Sequence, residues 1–225
     1  MTNTLHRYGD AASFHDDFIF IAIPSRGRND QDCVPKLQQF LRMALSFGPV
    51  NLGDARHGGA LQPSKSMNPL CHWNRDNQLN FESVISGIAA PATVAAVFDD
   101  AVKAENFAKA VVEADLGLSV NISTSIEGAE DCCEAAAICR HSVGYSLGFM
   151  DNGDQLPSRD LLQISTMCGH GMISNSLTRK MIDWVKEGRR TPDEAACYLQ
   201  RFCSCGIFNP SRASRLIASA ARGAR

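Results

Sequence analysis

Residues 166–171, with the sequence TMCGHG, combine a thiol, an imidazole and two glycines. We predict a strand before this loop and a helix after it, so the thiol of Cys168 would meet unpaired backbone N–H groups and the positive end of the helix dipole. Both favour the thiolate, which acts as nucleophile, base or metal ligand. His170 could tune the sulfur or donate a proton, and Gly169 and Gly171 let the backbone approach a ligand closely. The competing interpretation is a tight turn with an inert buried thiol.

A second pair of thiols, Cys203 and Cys205, stands in a predicted loop between helices. Cys-x-Cys is a weaker metal signature than two Cys-x-x-Cys motifs at the right spacing. If the C-terminal helices fold back on the sheet, either thiol could meet Cys168. Cys133 would then complete a three-thiolate set, although core packing is its default because it lies on the predicted apolar face of its helix.

Other side chains could bind a substrate. Arg26 and Arg28 follow the first predicted strand and could hold a carboxylate or phosphate, or simply lie in a solvated loop. Asn209 precedes a proline, is expected to cap the last helix, and is a further candidate for substrate contact. Cys71 and its neighbour His72 lie in a segment with little periodicity, which we interpret as a functional loop.

The apolar pattern predicts the elements that position these residues. Strands are expected at 18–23, 50–52, 93–98, 118–123, 142–149 and 161–166. Helices are expected at 34–47, 101–115, 126–139, 172–187, 192–202 and from 210 onward. A long loop or lid is expected at 53–80. No internal repeat is evident.

This alternation predicts an α/β fold with a mixed or mostly parallel sheet, flanking helices and a C-terminal three-helix segment. We divide the chain into a sheet region, 1–150, and a region with the last strand, the helices and the cysteine motifs, 151–225. The two regions are expected to form one compact unit.

Composition restricts the class of protein. The 225 residues are 44% hydrophobic and 20% charged, as in a globular protein. Lys plus Arg (22) nearly balances Asp plus Glu (24), so nucleic acid and membrane surfaces are not expected partners. The N-terminus has no apolar signal core, and no stretch is long enough to cross a bilayer. Nine cysteines, an odd number, suggest reduced thiols in the cytoplasm. The expected partner is a small molecule, anionic if the arginines bind it; a homo-oligomer is compatible with the sequence.

The sequence MCGHG at 167–171 resembles the segment around one catalytic thiol of proline racemases and related epimerases. In that family a second thiol, also followed by Gly, takes the opposite face of the substrate, and Cys205 is the comparable residue here. The resemblance covers five residues, and the second motif lacks the family's Asp-Arg and Thr-Gly neighbours. Together with CGIFNP at 205–210, the motif also resembles an uncharacterised family of bacterial and archaeal proteins, which implies no function.

Three hypotheses follow. In the first, Cys133, Cys168 and either Cys203 or Cys205 hold a [4Fe–4S] cluster, whose free iron acts as a Lewis acid in a lyase, hydro-lyase or desulfurase reaction. The same thiols with His170 could instead hold zinc.

The second hypothesis has no cofactor. Cys168 and Cys205 act as paired acid and base in a racemase, epimerase or dehydratase. The third is a non-catalytic domain that senses a small ligand or a metal. The sequence favours an enzyme, a lyase or an isomerase, over this third class.

Overall fold

The structure, a computed structural model, describes residues 5–61, 80–144 and 153–223, and five strands lie within these ranges. They are β1 Phe18–Ile23, β2 Asn51–Asp54, β3 Gly58–Gly59, β4 Val94–Phe98 and β5 Ser119–Ser123. The α-helices within the same ranges are α1 Cys33–Leu45, α2 Phe81–Ser86, α3 Ala101–Ala114, α4 Ile126–Ala135, α5 Arg159–Ser165, α6 Asn175–Lys186, α7 Pro192–Gln200 and α8 Pro210–Arg222, and two short 3-10 helices cover Ala11–Phe14 and Gly153–Gln155.

The α/β class is confirmed, but the predicted strand direction is wrong. The strands form one sheet in the order β3-β2-β4-β1-β5, and every pairing among the described strands is antiparallel. β1 and β2 run in the same direction, as do β4 and β5, so the predicted strand–helix–strand units exist. Each unit is split, because β4 lies between β1 and β2, and β1 lies between β4 and β5. This is the connectivity of a split βαβ, ferredoxin-like sheet.

The two faces of the sheet carry different helices. Alternate residues of a strand point to opposite faces. Phe18, Phe20 and Ala22 of β1 pack with α1, α2 and α3. Ile19 and Ile21 pack with the C-terminal helices instead. The fold therefore has three layers, with α1–α4 on one side of the sheet and α5–α8 on the other.

Between residues 153 and 223 the C-terminal layer contains four α-helices, one more than expected. Residues 161–166, predicted to be a strand, belong to α5 and its C-cap. Leu161, Leu162 and Ile164 are buried, and Leu161 and Ile164 belong to the hydrophobic core of this layer. A short apolar run fits a buried strand and a buried helix equally well, and here tertiary packing selects the helix.

Two predicted elements fall partly outside the described residues. Residues 142–144 are not in a strand, and 145–149, the rest of that predicted strand, are outside. The first part of the predicted loop 53–80 contains the end of β2 and the short β3. Most of the remainder, from residue 62 to 79 and including Cys71 and His72, lies outside the described ranges. In the described part of the chain, no helix has the length and apolar character needed to span a bilayer.

A buried ion network joins the start of β1 to α8. Asp17 accepts hydrogen bonds from Arg7 and from Arg212, whose Nη1 lies 2.7 Å from the carboxylate. The side chains of Asp17 and Arg212 are fully buried. The Arg212 guanidinium also stacks on the Phe14 ring at 4.0 Å. This network fixes the N-terminal turn of α8 against the sheet.

Candidate functional site: a buried thiol cluster

The cysteine loops belong to an internal repeat of 35 residues. Each unit follows the pattern Pro-x10-Cys-x-(His/Cys)-Gly, from Pro157 to Gly171 and from Pro192 to Gly206. Each unit is a helix, a loop and a second helix. The N-caps of the second helices are also equivalent: Ser174 accepts from the Leu177 N–H, and Asn209 accepts from the Arg212 N–H. The expectation of no repeat is therefore wrong.

Equivalent core positions of the two units are buried alike, which supports the repeat. The pairs are Leu161 with Ala196, Ile164 with Leu199, Ile173 with Phe208, Thr178 with Ala213, and Ile182 with Ile217. The signal in the sequence was the spacing of proline, cysteine and glycine. It is weak, because the third motif residue changes from His170 to Cys205.

Cys168 lies between two helices, not at the predicted junction of a strand and a helix. The predicted stabilisation of the Cys168 thiolate by a helix dipole is therefore replaced by stabilisation from backbone amides of the loop. The backbone N–H groups of His170, Met172 and Ile173 stabilise the Cys168 thiolate, and the Met172 nitrogen lies 3.3 Å from the sulfur. Positive φ angles of +69° at Gly169 and Gly171 give the loop this curvature.

The second loop repeats this arrangement around Cys203. The backbone N–H groups of Cys205, Ile207 and Phe208 stabilise its thiolate, at the same offsets of two, four and five residues as in the first loop. The structure thus holds two equivalent sulfur-binding turns, each with a potential metal ligand, His170 or Cys205, two residues after the first cysteine.

The two loops meet in space. The Cys203 and Cys205 sulfurs are 3.9 Å apart, and the Cys205 sulfur lies 3.5 Å from Nδ1 of His170. Cys168, Cys203 and Cys205 are 0%, 3% and 8% exposed and belong to the hydrophobic core between the sheet and the C-terminal helices. The structure therefore brings together three of the predicted thiols and the predicted imidazole.

The thiols influence one another's ionisation. Burial raises the pKa of Cys168, and the neighbouring Cys203 raises it further. The hydrogen bond from Cys205, with the loop amides, lowers the pKa of Cys203 despite its burial. That same hydrogen bond, together with burial, raises the pKa of Cys205. One thiolate is therefore favoured in the pair, and it is on Cys203.

Among residues 5–61, 80–144 and 153–223, no group of three or more His, Cys, Asp or Glu side chains stands in ready metal-binding geometry. The close contacts of the cluster are pairwise: Cys203 with Cys205, and Cys205 with His170. Coordination of one ion by all four side chains would therefore require the two loops to move toward each other.

The second loop packs against the β2–β3 hairpin with almost no space between the backbones. A Cβ on Gly206 would stand 2.7 Å from the Cα of Gly53 and 2.7 Å from the Leu52 carbonyl oxygen. A Cβ on Gly53 would stand 2.7 Å from the Cys205 carbonyl oxygen. Glycine is required at both positions, because any larger residue would push the thiol loop off the sheet.

The first loop is held by the N-terminal segment. The His6 N–H donates to the Gly169 carbonyl at 3.2 Å, and the Tyr8 N–H donates to the Thr166 hydroxyl at 2.9 Å. A Cβ on Gly169 would stand 2.8 Å from the Leu5 side chain. Gly169, predicted to contact substrate, is thus covered by the protein's own chain.

Cys133 is not part of the cluster. It lies on α4, on the opposite side of the sheet from Cys168, and lines a cavity beside β5 with Asn121 and Arg140. The residue on the apolar face of α4 is its neighbour Cys132, which is fully buried. Helical periodicity did not determine which face of the sheet α4 covers.

The other predicted substrate contacts are also separate from the thiols. Arg26 and Arg28 are exposed in the loop after β1, whereas the Cys205 loop packs on β2 and β3. Asn209 is fully buried and saturated: its amide donates to the Asp16 carbonyl and to Asp17, and its oxygen caps α8. Gly171 is exposed and open, so a ligand could approach the backbone there.

One pair of residues near the thiols escaped the sequence analysis. Asp54, 1% exposed at the side chain, accepts from the Arg56 and His57 N–H groups and lies 2.7 Å from His57 Nδ1. This contact orients the half-exposed His57 ring. The next residue, Gly58, faces Ser204 of the thiol loop. The DARHG sequence, an Asp three residues before a His, was the available signal.

Comparison of the chain with protein-family models, with curated proteins and with solved structures finds no match. The resemblances to proline racemases and to the uncharacterised family therefore stay predictions.

Proposed function

We propose that this protein binds a single thiophilic metal ion, of the Zn²⁺ class, through Cys168, His170, Cys203 and Cys205. Three thiolates and one imidazole form one of the common ligand sets for tetrahedral zinc. The fold supplies these four side chains from two equivalent loops, and loop amides stabilise the sulfur of the first cysteine in each.

Two contact distances, both made by Cys205, carry the proposal. Two sulfurs on one tetrahedral zinc, each with a bond of about 2.3 Å, lie about 3.8 Å apart. A sulfur and an imidazole nitrogen on the same ion lie about 3.6 Å apart. The corresponding distances here are 3.9 Å for Cys203 to Cys205 and 3.5 Å for Cys205 to His170.

These distances favour a single ion over the [4Fe–4S] cluster of our first hypothesis. In a cubane each thiolate binds a different iron and the bonds diverge, so its thiolate sulfurs are further apart than two ligands of one ion. Cys133, the proposed third cluster ligand, lies on α4, which packs on the opposite face of the sheet.

The distances also favour a metal over a two-thiol acid and base pair. In a racemase, two thiols act from opposite faces of a substrate carbon and need space between them. Here Cys205 contacts both Cys203 and His170, and the sulfurs lie in the hydrophobic core.

Metal analysis of the full chain tests the proposal. Protein expressed with added zinc and purified without chelators should contain about one zinc ion per chain by mass spectrometry. Cys203→Ser and Cys205→Ser should abolish this binding. Cys197→Ser is the matched control, because Cys197 is an exposed thiol on the helix before the second loop, and it should retain the metal.

Two results would contradict the single-ion proposal. Iron with inorganic sulfide and a brown colour would support the cluster, and metal-free protein that takes up no Co²⁺ would favour the thiol pair. Since serine variants could fail to fold, circular dichroism and Co²⁺ titration of the metal-free protein should accompany the metal analysis.

A further inference from the structure

Cations and aromatic rings alternate along α6, α7 and the loops that follow them. We call the following residues the cation–aromatic row: Lys180, Trp184, Arg189, Arg190, Tyr198 and Arg201. Lys180 Nζ lies 4.9 Å from the centre of the Trp184 ring, and the Arg190 guanidinium carbon lies 5.3 Å from it. Arg190 also lies 5.4 Å from the centre of the Tyr198 ring. The guanidinium carbons of Arg189 and Arg201 lie 6.0 Å from the Trp184 ring and 5.5 Å from the Tyr198 ring, respectively.

Much of the positive charge in the row is not balanced by carboxylates. Residues 174–202 contain four acidic side chains. Their contacts are Asp183 with Lys186, Glu187 with Arg189, Asp193 with the Ser214 hydroxyl, and Glu194 with the Thr191 N–H. Within the described ranges, neither Lys180 nor Arg190 forms an ion pair, although both lie beside the Trp184 ring. Like charges this close repel each other, so a bound anion would stabilise them.

The duplicated fold does not account for the row. Three of its members have equivalents 35 positions away in the other unit of the repeat. These equivalents are polar and uncharged: Ser219 for Trp184, Gln163 for Tyr198, and Thr166 for Arg201. The helix–loop–helix core therefore forms without rings or cations at these positions, and the row is specific to one surface.

We propose that the cation–aromatic row binds single-stranded nucleic acid, with its cations on the phosphates and its rings against the bases. A guanidinium stacked on a ring keeps its N–H groups available for a phosphate. Proteins that bind single strands without sequence preference combine a positively charged track with aromatic side chains on which bases stack. The balanced net charge predicted no nucleic-acid partner, but net charge does not report a local cluster. This binding needs no metal and is independent of the function proposed above.

Fluorescence anisotropy of the full chain with a labelled oligothymidylate of about 20 nucleotides, longer than a typical site, tests the proposal. The double variant Lys180→Gln/Arg190→Gln should bind at least about tenfold more weakly at about 0.1 M salt. The slope of log affinity against log salt should become shallower by about 1.4, because each phosphate contact on a single strand contributes about 0.7. The matched control is Arg42→Gln/Lys109→Gln, which removes the same charge from α1 and α3 on the opposite side of the sheet. It should bind as the wild type does.

Two further probes identify the class of partner. A duplex of the same length should bind the wild type more weakly than the single strand, because its paired bases cannot stack on the rings. Polyglutamate should also bind more weakly, because it offers carboxylates without bases. Equal losses in the two double variants, or no binding by the wild type, would overturn the proposal. A duplex or polyglutamate that binds as tightly as the oligothymidylate would also overturn it, and circular dichroism should verify that all variants are folded.

Discussion

Substitution of Gly206 by alanine tests whether the second thiol loop depends on its backbone contact with the sheet. The repeat provides a control at the equivalent position, Gly171. Both glycines have positive φ, +75° and +69°, so alanine strains the backbone equally, by about 1–2 kcal/mol. Only at Gly206 would the new Cβ also meet backbone, 2.7 Å from the Gly53 Cα and from the Leu52 oxygen. Overpacking of this kind adds about 1–3 kcal/mol.

Urea unfolding measures the difference. Gly171→Ala should lower the free energy of unfolding by about 1–2 kcal/mol, and Gly206→Ala by roughly 2–5 kcal/mol. With a slope near 3 kcal/mol per molar urea, roughly the value for a chain of this size, the two midpoints should differ by about 0.3–1 M. Coincident unfolding curves would refute the reasoning, because they would mean that the thiol loop does not rest on β2.

Three further outcomes follow from the structure. Asp17→Ala leaves two buried arginines without their carboxylate and should lower the free energy of unfolding in urea by about 3–5 kcal/mol. The control Glu82→Ala, at an exposed ion pair, should lower it by under about 1 kcal/mol. Similar losses of stability in the two variants would disprove the role of the buried network. Burial raises the pKa of Cys132 to about 12. This thiol should therefore resist alkylation by iodoacetamide at pH 8, while the exposed Cys197 reacts. Rapid labelling of Cys132 in peptide mass spectra would contradict its burial in the core. Asp54→Ala removes an acceptor of three N–H groups and should cost about 1–3 kcal/mol; an unchanged unfolding midpoint would show that the β2–β3 turn does not need it.

Local elements were largely predictable from the sequence. β1 and β4 are short apolar runs, β5 alternates polar residues with Val120 and Ile122, and the predicted ranges agree with the observed ones within a few residues. The helix at 192 was marked by its capping box, in which Thr191 and Glu194 bond each other's backbone. Such signals are local, so one sequence is enough to detect them.

Pairing between distant segments was not predictable in the same way. Nothing local specifies that β4 inserts between β1 and β2, or that α4 carries Cys133 to the far side of the sheet from Cys168. Convergence of the thiols could be stated only as a condition, namely that the C-terminal helices fold back. The equal spacing of the two Pro-to-Cys units would have strengthened the prediction that the two cysteine loops meet, because duplicated helical pairs commonly pack against each other.

The ion network at Asp17 has a consequence for the order of folding. Asp17 and Arg212 are separated by 195 positions in the chain, and Asn209 reaches back over a similar span to the Asp16 carbonyl. Contacts between such remote segments incur a large loop-closure entropy and form late. Until these contacts form, the thiols of the cluster are not yet buried. The thiols of nascent chains should therefore be far more sensitive to oxidants than those of the folded protein.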